Sequence, residues 1–121
     1  MSTVLVVDDD EKIRKFVSMV LKKEGFYVAE ARNGQEGFFM YNTQSPDLVL
    51  IDIIMPEKDG LSAIREIKAI NGMAKVVAMS GGLVLTPDAY LDEAKEIGAD
   101  CVLSKPFDRR KLVETVQNLL L

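Results

Sequence analysis

Four short segments of the chain are apolar on consecutive residues: Val4 to Val7, Leu48 to Ile51, Val76 to Met79 and Cys101 to Leu103. Runs this short and rich in Val and Ile suit parallel strands buried on both faces, because a half-exposed strand would alternate with polar residues. A weaker run, Tyr27-Val28-Ala29, fits an edge strand. Between the runs the apolar period becomes helical: Ile13, Phe16, Val17, Val20 and Leu21 fall at i, i+3, i+4, i+7 and i+8, and Gly25 supplies a left-handed stop. A second helix is predicted over Gln35 to Tyr41, ending before Pro46. A third carries Leu61, Ile64 and Ile67 and ends near Asn71-Gly72. The fourth has Thr86 as N-cap, Pro87 at its first position and Gly98 beyond its last turn. The fifth starts after Asp108 with Leu112, Val113, Val116, Leu119 and Leu120 on one side.

Strand followed by helix, five times over, predicts an α/β fold: a doubly wound parallel sheet with helices on both faces, joined by right-handed crossovers. The 121 residues contain no linker-like or low-complexity stretch and read as one domain over residues 1–121, large enough to bury a core without staples.

Charge and composition narrow the chemistry. Fifteen Lys and Arg against nineteen Asp and Glu leave a net charge of −4, which recommends neither nucleic acid nor an anionic membrane as partner. The chain has no His, which removes Ser-His-Asp and Cys-His nucleophile pairs and His-ligated zinc or haem. The single Cys, Cys101, excludes an internal disulfide and reads as a small buried strand residue. No apolar run approaches the about 18 residues needed to span a bilayer, and Met1-Ser2-Thr3 leads directly into the first strand without a signal-peptide layout, so a cytoplasmic protein is expected.

In doubly wound sheets ligands bind outside the carboxyl ends of the strands, at the switch in strand order. Here strand one is followed by Asp8-Asp9-Asp10, strand three ends in Asp52, strand four in Ser80, and strand five runs into Ser104-Lys105-Pro106. If strands one and three flank the switch point, Asp8, Asp9 and Asp52 meet in one cleft. Their mutual repulsion implies a cation. Lys105 supplies one positive charge, and an oxygen-only donor set favours a hard divalent ion such as Mg2+, with Mn2+ possible. Such a site suits a phosphoryl group, with Asp52 as nucleophile, the metal and Lys105 balancing charge, and the Ser80 hydroxyl bonding a transferring oxygen. Taken singly each element has a plainer reading: Asp8 to Asp10 as acids at a helix N-terminus, Asp52 as a strand-end cap, Ser80-Gly81-Gly82 as a turn, Lys105-Pro106 as a loop.

Val6-Val7-Asp8-Asp9, Asp52-Ile53-Ile54-Met55-Pro56 with Asp59-Gly60, Ser80-Gly81, and Lys105-Pro106-Phe107 closely resemble the receiver domain of two-component response regulators, in its single-domain, chemotaxis-regulator-like form. The likeness runs from the first strand to the last helix. It implies a flavodoxin-like sheet of strand order 2-1-3-4-5 with five helices, and Asp52 as acceptor of a phosphoryl group from a histidine kinase or histidine phosphotransfer protein. It further implies Mg2+ held by Asp8, Asp9, Asp52 and the Ile54 carbonyl, Ser80 and Lys105 as phosphoryl-contacting groups, and a cis Lys105-Pro106 bond. The resemblance also places Ile54 and Gly82 beside the approach of a hydrolytic water; neither can orient or deprotonate it, so slow self-dephosphorylation is expected.

Two features depart from the family pattern. Val102 stands where an aromatic residue usually reports phosphorylation, and Gly81-Gly82-Leu83-Val84-Leu85 lengthens the connection to the fourth helix. Arg109-Arg110-Lys111 places three cations in a first helical turn, read either as a solvated face or as a docking patch for an acidic partner. The expectation is a stand-alone switch rather than an enzyme with turnover, monomeric or weakly dimeric, whose downstream effector the residues do not identify. Three alternatives differ in class. The first is the N-terminal receiver portion of a larger DNA-binding or other output-domain regulator, the second a small Mg-dependent phosphatase with an Asp nucleophile, the third a phosphorylation-inert adaptor. No cap region or substrate-recognition insertion favours the phosphatase, and the complete acceptor set disfavours the adaptor.

Overall fold

The computed structural model describes residues 2–53, 60–80 and 98–120, together with residue 96. Five strands, β1 (Thr3–Val7), β2 (Tyr27–Ala31), β3 (Leu48–Asp52), β4 (Val76–Ser80) and β5 (Cys101–Ser104), form one parallel sheet in the order β2-β1-β3-β4-β5. The described helices are α1 (Glu11–Lys23), α2 (Gly34–Gln44), α3 (Gly60–Ile70) and α4 (Arg109–Leu120). The helix expected after Thr86 lies outside the described residues, although Gly98 has the positive φ, 117°, expected of the residue that ends it.

Alternation along each central strand divides the core in two. Leu5, Val7, Val49, Ile51, Val76 and Ala78 pack on one side of the sheet with Ala63, Ile64 and Ile67 of α3 and Tyr41 of α2. Val4, Val6, Leu48, Leu50, Val77 and Met79 pack on the other with Val17, Val20 and Leu21 of α1 and Leu112 and Val116 of α4. Every residue of β3 and β4 is buried, which is why the four residues before their terminal Asp52 and Ser80 are apolar without alternation.

Local chemistry sets the helix ends. Asp10 caps α1 by accepting a hydrogen bond from the Lys12 amide, with Glu11 in the first turn and Lys22 and Lys23 in the last, the signs the helix dipole favours. Gly25 follows at φ 94°. Asn33 caps α2 through the Glu36 amide, and Asp108 caps α4 through the Lys111 amide.

Two expectations are corrected. The Cys101 to Leu103 run is not buried on both faces: β5 is an edge strand in which only Leu103 is buried, and Cys101 is half-exposed. Helix α2 continues three residues past Tyr41 to Gln44, through polar Asn42 and Thr43, until Ser45 turns left-handed at φ 45°. The Arg109 and Arg110 side chains are 55% and 87% exposed, Arg109 lying 2.9 Å from Glu24 at the end of α1 and Arg110 3.2 Å from Glu114. No helix among the described residues is long and apolar enough to cross a membrane.

Candidate functional site

Register carries the acids to one point. Val7 of β1 pairs with Ile51 of β3, so Asp8 and Asp52, each one residue further on, emerge side by side at the carboxyl edge of the sheet. Asp52 pairs in turn with Met79, and Ser80 with Ser104, so β4 and β5 bring Ser80 and the residue after Ser104, Lys105, to the same edge. The Lys105 amide donates to the Ser80 carbonyl at 2.8 Å, and the Lys105-Pro106 bond is cis.

Asp8 and Asp52 are buried carboxylates, 0% and 5% exposed, whereas Asp9 is exposed. One oxygen of each of the three lies within 4.8 Å of the others. The Lys105 ammonium sits 2.6 Å from Asp8 Oδ2 and 3.4 Å from Asp52 Oδ2. Burial alone would lower the pKa of Lys105, but the hydrogen bond to Asp8 and the charges of Asp52 and Asp8 outweigh it and raise the value above the usual 10.5. The ammonium is therefore a fixed charge at neutral pH. Three carboxylates against one ammonium leave a formal −2, and an all-oxygen group of this charge could hold a divalent hard cation.

Asp8 is fastened at four atoms. Its amide donates to the Ala31 carbonyl and its carbonyl accepts from Arg14 Nη1; Oδ1 accepts from the Asp10 amide and Oδ2 from Lys105. Ser80 Oγ is buried and, among the described residues, has no hydrogen-bond partner. A buried hydroxyl in that state is costly in a resting protein and useful where an incoming acceptor oxygen is to be bound.

Structure thus brings together Asp8, Asp9, Asp52 and Lys105 and sets Ser80 on the adjacent strand end. Ile54, Gly82 and the Gly81 to Leu85 loop lie outside the described residues. One contributor escaped the sequence reading, and a second was quoted in the resemblance without a role. Arg14 looks like any cation on an amphipathic helix, and only its position one turn past the acids hinted at a local role. Gly60 starts α3 against the end of β3: a Cβ there would lie 2.1 Å from the Asp52 carbonyl oxygen and 2.6 Å from Ile53 Cα.

Residues 4–117 match the family model of the response regulator receiver domain. The chain belongs to that family. This receiver is 36% identical over 118 residues to the chemotaxis protein CheY of Bacillus subtilis, covering 97% of this chain and 96% of that protein. It is 32% identical to sporulation initiation phosphotransferase F of the same organism, covering 97% and 92%. Among solved structures, chemotaxis protein CheY4 of Vibrio cholerae superposes with a TM-score of 0.89 at 27% identity and covers 98% of each chain. The strand order expected from the resemblance is the observed one. The receiver is a signalling domain of a two-component response regulator, and its relatives do not favour the phosphatase reading.

Proposed function

We propose that this receiver, read as one unit over residues 1–121, accepts a phosphoryl group on Asp52 from a histidine kinase or histidine phosphotransfer protein and changes partner affinity when it does so. The observation that carries this reading is the convergence of buried Asp8 and Asp52 on one lysine at the carboxyl edge of the sheet.

An Asp52 carboxylate oxygen attacks the phosphorus of a phosphorylated imidazole on the partner. The O–P bond forms, the N–P bond breaks, and its electron pair returns to the imidazole nitrogen, which is reprotonated. Lys105 moves from bridging two carboxylates to balancing charge on the transferred oxygens, and the Ser80 hydroxyl donates to one of them. Asp8 and Asp9, with Asp52 and the Ile54 carbonyl, would hold Mg2+, or Mn2+ in its place. Bound there, the ion neutralises the acids and polarises the phosphoryl oxygens. Apart from this transfer onto Asp52 and its slow hydrolysis the chain turns over no substrate. Its setting would be the cytoplasm, as a monomer or weak dimer.

Acetyl phosphate labelling followed by mass spectrometry tests the reading. Wild type should gain one phosphoryl group only with Mg2+ or Mn2+ present, and Asp52→Asn should gain none. Equal labelling of both proteins, or labelling undiminished in EDTA, would overturn it.

A further inference from the structure

We propose that Arg14, braced by Glu30, is a positioning residue for the divalent-cation site, acting through the Asp8-Asp9 peptide; the inference rests on the reading of Asp8 and Asp9 as cation ligands. Arg14 sits on α1 with only 11% of its side chain exposed. Its Nη1 donates to the main-chain carbonyl of Asp8 at 2.7 Å, and its Nε lies 3.4 Å from Glu30 Oε1 on β2.

That carbonyl belongs to the peptide unit joining the two adjacent acids. The planarity of the unit means that fixing its C=O also fixes the direction of the Asp9 N–H and the Asp9 Cα. Asp8 needs little further help, since its amide and both carboxylate oxygens are already engaged. Asp9 differs: it is exposed, and its carboxylate must turn back toward Asp8 and Asp52 to be within 4.8 Å of both. The Asp10 amide bond to Asp8 Oδ1 holds the peptide after Asp9, and the guanidinium bond orients the one before it.

Glu30 in turn limits where the guanidinium can go. Two edges of a planar, forked cation are used at once, one by a backbone oxygen of β1's end and one by a carboxylate on the neighbouring strand. The bracket depends on the β1–β2 pairing that sets Glu30 opposite Val6 and Ala31 opposite Val7.

Electrostatics and positioning make opposite predictions for this residue. A cation beside a divalent-ion site repels the ion, so removing the Arg14 charge should tighten binding if charge were its only effect. Removing the bond to Asp8 should loosen Asp9 and weaken binding, because groups that orient ligands typically change metal affinity about 10- to 100-fold when lost. A staple merely joining α1 to β2 would lower stability and leave the affinity of the folded protein unchanged.

The experiment measures Mg2+ and Mn2+ dissociation constants by calorimetry for wild type, Arg14→Met and Arg14→Lys, alongside urea unfolding and amide relaxation of Asp9 and Asp10 without metal. Arg14→Met should bind about tenfold more weakly, with Arg14→Lys between it and wild type, and the two amides should become more mobile before any metal is added. Unchanged or tighter binding by folded Arg14→Met overturns the inference while the proposed function stands. Absence of binding by wild type overturns the proposed function and the inference with it. Should Arg14→Met fail to fold, Glu30→Gln keeps the guanidinium but frees it, and unchanged Asp9 and Asp10 mobility in that variant overturns the inference equally.

Discussion

Lys105 reaches across the sheet edge to Asp8, Nζ to Oδ2 at 2.6 Å, joining residues 97 positions apart and leaving Asp52 as the more distant partner at 3.4 Å. The lysine thereby holds together buried carboxylates that would otherwise repel one another.

Replacing Lys105 with Met should therefore cost about 3 kcal/mol in urea unfolding without divalent ions, the penalty of leaving buried charge uncompensated. Much of that loss should return in millimolar Mg2+, which binds only the folded cluster. Wild type should show a smaller Mg2+ effect. A loss of stability insensitive to Mg2+ would mean that Lys105 serves packing rather than charge.

The pH dependence of the same contact follows in sign. Lys105 has a higher pKa folded than unfolded, so its contribution to stability is fully present below about 10.5 and is lost as pH rises through the folded value. Between pH 6 and 9 the difference in unfolding free energy between wild type and Lys105→Met should be flat on this account, narrowing only in strongly alkaline solution. A difference that already narrows by pH 9 would refute a raised lysine pKa.

Ser80 offers a separation of stability from function. Its buried Oγ has no partner among the described residues, so Ser80→Ala should leave stability unchanged or raise it by about 1 kcal/mol. Phosphoryl transfer from acetyl phosphate should nevertheless slow by about tenfold or more if the hydroxyl donates only as charge moves onto the phosphoryl oxygens. Equal labelling rates for the two proteins would remove Ser80 from the reaction.

The central strands and the acid cluster were legible in the sequence for the same reason. A strand buried on both faces has no polar residue until it leaves the core, so the first acids after Val7 and Ile51 mark strand ends, and strand ends are where such sheets bind ligands. The limits are equally physical. Cys101 to Leu103 reads as buried on both faces because its apolar side chains do not disclose that this edge strand is only partly covered. Asn42, Thr43 and Gln44 extend α2 without an apolar period, since the backbone ladder and the Thr43 hydroxyl bond to the Phe39 carbonyl carry the last turn. Arg14 could not be told from a solvated cation until β2 was placed beside β1 and Glu30 came within reach.

Arg109 and Glu24 tie the start of α4 to the end of α1 at 2.9 Å, and the Arg109 side chain remains 55% exposed. An exposed pair of this kind contributes less than about 1 kcal/mol and is weakened by salt. Glu24→Gln should accordingly change the urea midpoint only slightly, and the difference should vanish in 1 M NaCl. A large, salt-insensitive loss would indicate that the pair fixes the packing of the two helices.

Gly60 is the most tightly enclosed of the described glycines near Asp52. Helix α3 begins so close to the end of β3 that an added Cβ would sit 2.1 Å from the Asp52 carbonyl oxygen, and the next nearest atoms, Ile53 Cα at 2.6 Å and the Asp52 carbonyl carbon at 2.8 Å, are also backbone. No side-chain rotation can relieve contacts with backbone, so Gly60→Ala must displace either the helix start or the strand end. Overpacking of this kind costs about 1–3 kcal/mol. The strand cannot yield freely, because Ile51 and Asp52 are held in the ladders to β1 and β4 and the Ile53 amide donates to the Met79 carbonyl. The displacement should fall on α3 and on the Asp52 peptide together, moving the Asp52 carboxylate relative to Asp8 and Lys105. Gly60→Ala should thus lower both the urea midpoint and the rate of acetyl phosphate labelling, whereas Gly72→Ala, with open space around its Cβ, should alter neither by a comparable amount. A Gly60→Ala protein that is destabilised yet labelled at the wild-type rate would show that α3 alone gives way and that Asp52 is insulated from it.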